Sequence, residues 1–188
     1  SITDIELGAP VAINMDNGIA AMALAQVAGV SADEVRAAML SFGGVDRRFD
    51  FHVRRDDMVY ISDYAHHPEE IRQSILSIKQ LYEGRRIRAI FQPHLYTRTR
   101  DFYKDFADAL SLLDDVVICD IYPAREEPIP GVTSQLIYDN LRPGIQKQMC
   151  SKEDILKHVN RDEFDVLVTL GAGDIENFAH DITNLLSC

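Results

Sequence analysis

The sequence predicts an α/β fold in which a mostly parallel sheet with an antiparallel edge hairpin follows a helical pair. Three observations carry this. After Gly44, strand-length apolar runs alternate with helix-length amphipathic segments, the pattern of a doubly wound sheet. The runs 51–53 and 58–62 are separated only by Arg54 to Asp57, too few residues for a parallel crossover, so they form a hairpin. Residues 1–45 hold two helical patterns and no strand, too little to bury a core of their own.

Taken in order, Ile19, Met22, Ala23 and Val27 place a helix over 17–30, stopped near Gly29. A second helix follows over 31–42. Ser31 is its N-cap, Glu34 completes a capping box, and Gly43-Gly44 ends it. Beyond the hairpin, strands are expected at 88–91, 115–121, 145–149 and 165–170. Helices are expected at 68–82, 99–113, 134–139, 152–159 and 175–186.

The chain has 188 residues, 46% of them apolar, enough for one full core. Nineteen Lys and Arg against 30 Asp and Glu leave a net charge of −11, which repels nucleic acid and anionic membrane surfaces. An anionic nucleotide then requires a local basic cluster, for which Arg47, Arg48, Arg98 and Arg100 are the candidates. Cys119, Cys150 and Cys188 have neither disulfide-framework nor zinc-site spacing, and a reducing cytoplasm is expected. Ser1 to Pro10 lacks the features of a signal peptide, and no stretch reaches membrane-spanning length.

In an open α/β sheet, ligands gather at the carboxyl ends of the parallel strands. Four loops fall there. Asp63-Tyr64-Ala65-His66-His67-Pro68 places a carboxylate, a phenol and two imidazoles before a helix that Pro68 starts. An Asp at this place accepts from ribose hydroxyls, or else Asp63 or His67 simply caps the helix. Adjacent histidines diverge in a loop and no further ligand lies at metal spacing, so no metal is expected on this chain. Gln92-Pro93-His94-Leu95-Tyr96-Thr97-Arg98-Thr99 sets His94, Tyr96 and Arg98 at alternate positions, with Thr97 and Thr99 as helix caps. Arg98 is suited to bind a carboxylate or phosphate, whereas Arg100, followed by Asp101, reads as a solvated charge. The acidic loop Arg125 to Gly131 is either a gate or a solvated connection. Gly171-Ala172-Gly173-Asp174 lacks a dinucleotide fingerprint and reads as a tight turn with Asp174 as a cap. No G-x-x-x-x-G-K-[ST] loop occurs, so this chain does not hold ATP phosphates in the usual way.

Taken together, Gly44-Val45-Asp46-Arg47-Arg48-Phe49, the Asp63–Pro68 and Phe91–Thr99 stretches, Pro128-Ile129-Pro130-Gly131 and Gly171-Ala172-Gly173-Asp174-Ile175 resemble the C-terminal domain of the Mur ligases, in order and spacing, over nearly the whole chain. The resemblance implies a Rossmann-like domain over 46–188, and over 1–45 the last two helices of a central ATPase domain. The P-loop and the Mg²⁺ ligands would lie on that central domain, and the UDP-sugar on an N-terminal one. It implies that Asn14 and Asn17 match the asparagines of an HN-x-x-N pattern near the nucleotide, with Ile13 where that pattern has His. Arg48 and Asp63 would contact ATP, Asp63 on the ribose. Tyr64, His66, His94 and Arg98 would form the amino-acid side, His66 and Arg98 being the catalytic pair. Leu95 stands where some relatives have Arg, which leaves more of the carboxylate binding to Arg98. The implied activity is ATP-dependent joining of L-alanine to UDP-N-acetylmuramate through an acyl phosphate in peptidoglycan precursor synthesis, with this stretch alone inactive. A murein tripeptide-recycling ligase shares the Asp63–Pro68 pattern but differs over Phe91–Thr99. A stand-alone nucleotide-binding module is the alternative from another class.

Overall fold

The computed structural model describes residues 3–6, 12–42, 45 and 47–187. It divides into two compact units, Ser1–Asp46 and Arg47–Cys188. Gly43, Gly44 and Asp46 of the expected hinge lie outside the described residues.

The first unit is two helices, α1 (Ala12–Val27) and α2 (Ala32–Ser41). α1 begins at Ala12, five residues ahead of the expected start at residue 17. It ends where Gly29 takes φ 81°. There the Val30 N–H donates to the Ala25 carbonyl at 3.0 Å and the Gly29 N–H to that of Gln26 at 3.1 Å, satisfying two of the helix's last carbonyls. α2 starts on the expected capping box: the Glu34 N–H donates to Ser31 Oγ at 3.3 Å and the Ser31 N–H to Glu34 Oε2 at 3.0 Å.

The second unit is a six-stranded sheet in the order β1-β2-β6-β3-β4-β5. Its strands are β1 (Asp50–Arg54), β2 (Val59–Asp63), β3 (Ile87–Phe91), β4 (Asp115–Cys119), β5 (Gln146–Cys150) and β6 (Val166–Leu170). β1 pairs antiparallel with β2, as the short connection requires, and the other five strands run parallel. The helices of this unit are α3 (Pro68–Leu81), α4 (Tyr96–Leu110), α5 (Gln135–Asn140) and α6 (Ala179–Ser187). From β2 the chain passes through α3 to β3, leaving a place that β6 fills last, so the carboxyl ends of β2, β6 and β3 lie side by side. β2, β4 and β6 are buried at all five residues, which accounts for continuous apolar runs where one-sided strands would alternate.

On one face Phe91 meets Phe106 of α4, ring centroids 5.3 Å apart. On the other, Tyr60, Ile90, Val117 and Leu167 pack with Ile155, Ile175, Ile182 and Leu186. Two expected helices differ. Lys152–His158 is a 3-10 helix, the tighter form that suits so short a connection, and a 3-10 turn over Asp174–Phe178 precedes α6. α4 begins at Tyr96 rather than Thr99, so neither threonine is its N-cap; Leu95 is, with φ 73° and no side-chain cap bond. Among the described residues no helix is long and apolar enough to cross a membrane.

Arg88 on β3 is 3% exposed yet charged. Its guanidinium reaches Asp115 Oδ2 at 2.7 Å, Glu163 Oε2 at 2.6 Å and the His158 carbonyl at 3.0 Å. Removing one partner of such a group strands the others without compensation. Arg88→Ala is therefore expected to cost about 3 kcal/mol or more, read by urea denaturation, and the Arg88→Met/Asp115→Leu pair to recover most of it.

Candidate functional site

The loops after β2, β3, β4 and β6 converge, and a single buried amide joins two of them, those after β3 and β6. Gln92, 2% exposed, donates from its backbone N–H to the Leu170 carbonyl at 3.0 Å. Its side-chain Nε2 donates to Asp174 Oδ1 at 2.7 Å, and its Oε1 accepts from the Ile175 N–H at 3.0 Å. Side chains are excluded here. A Cβ on Gly171, which has φ 143°, would stand 2.7 Å from the Gln92 carbonyl, and one on Gly173 would meet Tyr122 at 2.7 Å. The small residues of 171–173 thus permit a backbone approach, as the sequence implies. Asp174 does not cap a helix; it pairs with Lys152 and Gln92, and these outweigh burial and hold its carboxyl below the usual range.

Asp63, the last residue of β2, is 8% exposed. Burial pushes its pKa up, against the Ala65 N–H donating to Oδ1 at 3.2 Å and the Arg48 charge. The helix cap is His67, whose Nδ1 accepts from the Glu69 N–H, with Glu70 completing the box and Pro68 in the first turn. Asp63 is therefore not spent on capping α3.

A run of rings crosses the site. Tyr64 lies 5.2 Å from His66, His66 lies 6.0 Å from His94, and His94 stacks on Tyr122 at 5.6 Å and 26°. Arg47 lies 4.5 Å and Arg48 5.4 Å above the Tyr64 ring. Arg47 also pairs with Glu176, whereas Arg48 meets Glu70 only at 3.4 Å and keeps a half-exposed side chain. The two arginines thus separate in role: Arg47 anchors the chain, and Arg48 remains open to a ligand.

His66 Nδ1 lies 2.9 Å from the Tyr64 carbonyl. A carbonyl only accepts, so Nδ1 carries a hydrogen, and in the neutral form of the ring Nε2 holds the lone pair. Arg98, on the first turn of α4, makes two long contacts among the described residues, 3.5 Å to the His66 carbonyl and 3.4 Å to His94 Nδ1. Its guanidinium is consequently available for an anion. Burial, then the charges of Arg98 and His66, lower the His94 pKa.

Of the residues expected from the sequence, Arg48, Asp63, Tyr64, His66, His94 and Arg98 come together in the second unit. Asn17 lies in the first, on an apolar cleft of about 330 Å³ with Ala21, Ala38, Met39 and Phe42. Asn14 is on α1, and its side chain lies outside the described residues. Arg100 pairs with its neighbour Asp101 at 2.7 Å and stays exposed, the solvated reading. Among the described residues no group of three or more His, Cys, Asp or Glu is placed to hold a metal ion. Gln92, Tyr122 and Glu126 also belong to the site. Gln92 and Tyr122 were marked in the sequence by their place after a strand, and Glu126 by lying in the acidic loop read as either a gate or a solvated connection.

An open, mostly parallel sheet whose strand ends gather a buried Asp, arginines and histidines defines an α/β domain with a polar cluster where such sheets bind ligands. More narrowly, the model of the Mur ligase family described as the glutamate ligase domain matches residues 47–173, and the chain belongs to this family. A UDP-N-acetylmuramate–L-alanine ligase of Phocaeicola vulgatus is 62% identical over 187 residues, which are 100% of this chain and 41% of that protein. The corresponding ligase of Parabacteroides distasonis is 52% identical over 98% of this chain and 40% of its own length. The chain thus spans about two fifths of the length of these curated relatives. The crystal structure of a UDP-N-acetylmuramate–alanine ligase from Thermotoga maritima superposes with a TM-score of 0.81 at 29% identity, over 98% of this chain and 40% of that one. A murein peptide ligase from Psychrobacter arcticus, at 24% identity and TM-score 0.66, shares the fold.

The charge on Arg98 disfavours a second cation beside it. In wild type, His94 is expected to titrate below the ordinary histidine value of about 6.5, and Arg98→Ala to move its pKa upward, as read by NMR of the imidazole nitrogens. An unmoved pKa would place Arg98 elsewhere.

Proposed function

We propose that this chain is the C-terminal portion of an ATP-dependent ligase that joins L-alanine to UDP-N-acetylmuramate in cytoplasmic peptidoglycan precursor synthesis. The observation that carries the reading is the cluster of Arg98, His66 and His94 beside Asp63 and Arg48, on a chain 62% identical to a relative of that name. We place the boundary near residue 46, with 1–45 as the last helices of the central ATPase domain and 46–188 as the C-terminal domain. Asn14 and Asn17 would then face the nucleotide from the central domain, which would also bear the P-loop and the Mg²⁺ ligands. Mg²⁺, when bound there, neutralises phosphate charge.

The chemistry transfers the γ-phosphoryl group of ATP to the muramoyl carboxylate, giving an acyl phosphate and ADP. The alanine amine attacks the acyl carbon, a tetrahedral intermediate forms, and the bond to phosphate breaks as the amide is made. In this reading Asp63 accepts from the ribose hydroxyls; a carboxylate already stripped of water loses little more on binding them. Arg48 meets the phosphates. Arg98 holds the alanine carboxylate through its planar fork, and His66 Nε2 takes the proton that the ammonium must lose before attack. The domain contributes orientation and exclusion of water, so the chain alone is inactive.

The murein tripeptide-recycling reading is less well supported, with 24% identity to the Psychrobacter arcticus structure against 29% to the Thermotoga maritima one. The test is phosphate release by the chain extended upstream through the central and N-terminal domains, with ATP, Mg²⁺ and UDP-N-acetylmuramate, adding L-alanine or the tripeptide. Release is expected to depend on alanine, to be absent from residues 1–188 alone, and to fall in kcat/KM for alanine by about 10- to 100-fold in Arg98→Ala, the loss for a charged hydrogen-bond partner. Stimulation by the tripeptide instead would favour the recycling enzyme. No stimulation by either would favour a stand-alone nucleotide-binding module.

A further inference from the structure

We propose that Glu126 is a positioning residue for the amino-acid side of the site: from the loop after β4, its carboxylate caps the first turn of α4 and thereby sets Arg98 and His94. The proposal rests on the reading of residues 94–98 as the amino-acid side.

Helix α4 lacks a local cap. Its N-cap residue is Leu95, which has no oxygen to offer and sits at φ 73°, a conformation costly for a residue with a Cβ. The amides of the first turn would otherwise face outward unpaired. Glu126 supplies the missing acceptor from 29 residues away. Its Oε2 accepts from the Thr97 N–H at 2.9 Å and its Oε1 from the Thr97 hydroxyl at 2.5 Å. Thr97 immediately precedes Arg98, so the two bonds fix the peptide from which the guanidinium extends.

The same loop holds the other side of the site. The Tyr122 N–H donates to the Pro93 carbonyl at 2.8 Å, the Leu95 N–H donates to the Tyr122 carbonyl at 2.9 Å, and the Tyr122 ring stacks on His94. Tyr122 and Glu126 therefore grip residues 93–97 at both ends. A carboxylate is better than a neutral cap here for two reasons. It makes charge-assisted bonds to the positive end of the helix dipole, and it offers both oxygens at once. The charges around His94 are Arg98, His66 and Glu126, with the Tyr122 ring against it, and of these only Glu126 is negative.

Two measurements test this. In the extended enzyme, Glu126→Ala is expected to raise KM for L-alanine about tenfold or more, the scale of a misplaced binding group, while KM for ATP stays within about twofold. Glu126→Gln, whose amide oxygen still accepts from the Thr97 N–H, should fall between alanine and wild type. In the 188-residue chain, imidazole NMR should show the His94 pKa lower in Glu126→Ala than in wild type, because the one neighbouring anion is gone. An equal change in both KM values together with an unmoved His94 titration would overturn the proposal. If Glu126→Ala fails to fold, Glu126→Gln decides by the same two readouts. Should the wild-type extended enzyme ignore alanine, the functional reading fails by itself, and the His94 titration still decides whether Glu126 sets this turn.

Discussion

The site depends on one packing constraint, that Gln92 be buried at the end of β3 with its backbone N–H and both ends of its side-chain amide satisfied. Its backbone N–H, amide nitrogen and amide oxygen are spent on Leu170, Asp174 and Ile175. A buried amide left half-paired costs free energy comparable to several surface interactions, so the three groups must be met together or not at all. That requirement fixes the spacing between the loops after β3 and β6. It also accounts for Gly171 and Gly173, since a side chain at either would occupy the volume of the Gln92 carbonyl or the Tyr122 ring. Tyr122, held against Gly173 and bonded to Pro93 and Leu95, extends the constraint to the loop after β4. Loops from three strands become one rigid rim, on which His94 and Arg98 stand.

Electrostatics on this rim follow from pairing rather than from net charge. The chain as a whole carries −11, yet its strand ends present cations. Several are neutralised where structure is the purpose: Arg47 by Glu176, Lys152 by Asp174, and Arg88, at the far end of β3, by Asp115 and Glu163. Among the described residues Arg98 meets a carbonyl and an imidazole, at 3.5 and 3.4 Å. The contrast matters because an arginine already in a bidentate pair has little left for a ligand, whereas one held by long contacts keeps its fork free.

Sequence alone made the sheet, its edge hairpin and the positions of the rim loops legible, because alternation of elements and connection length are local properties. The capping box at Ser31 and Glu34 was legible for the same reason, since its partners lie three residues apart. Thr97 and Thr99 were misassigned as caps by that same local logic. The acceptor for Thr97 sits in a loop 29 residues on, and the Thr99 hydroxyl turns back to the Leu95 carbonyl at 2.9 Å. Gln92 carried no signal beyond its place after a strand, because its partners lie some 80 residues away, after β6. Asp63, His66, His94 and Arg98 stood out because dense polar chemistry directly after a strand is rare unless it faces a ligand.

Leu95 shows how such a rim tolerates strain. A non-glycine residue at positive φ is held at a cost on the order of 1–2 kcal/mol and persists only where its surroundings over-determine it. Here they do: its N–H is fixed to the Tyr122 carbonyl, and its own carbonyl accepts from both the N–H and the hydroxyl of Thr99. The unusual backbone turns the chain sharply from the end of β3 into α4. A relaxed entry would lengthen the turn between His94 and Arg98, which lie four residues apart and within 3.4 Å of each other. Glycine would relieve the strain while enlarging the unfolded ensemble and loosening the turn. A leucine held by three hydrogen bonds keeps the imidazole and the guanidinium at one fixed separation.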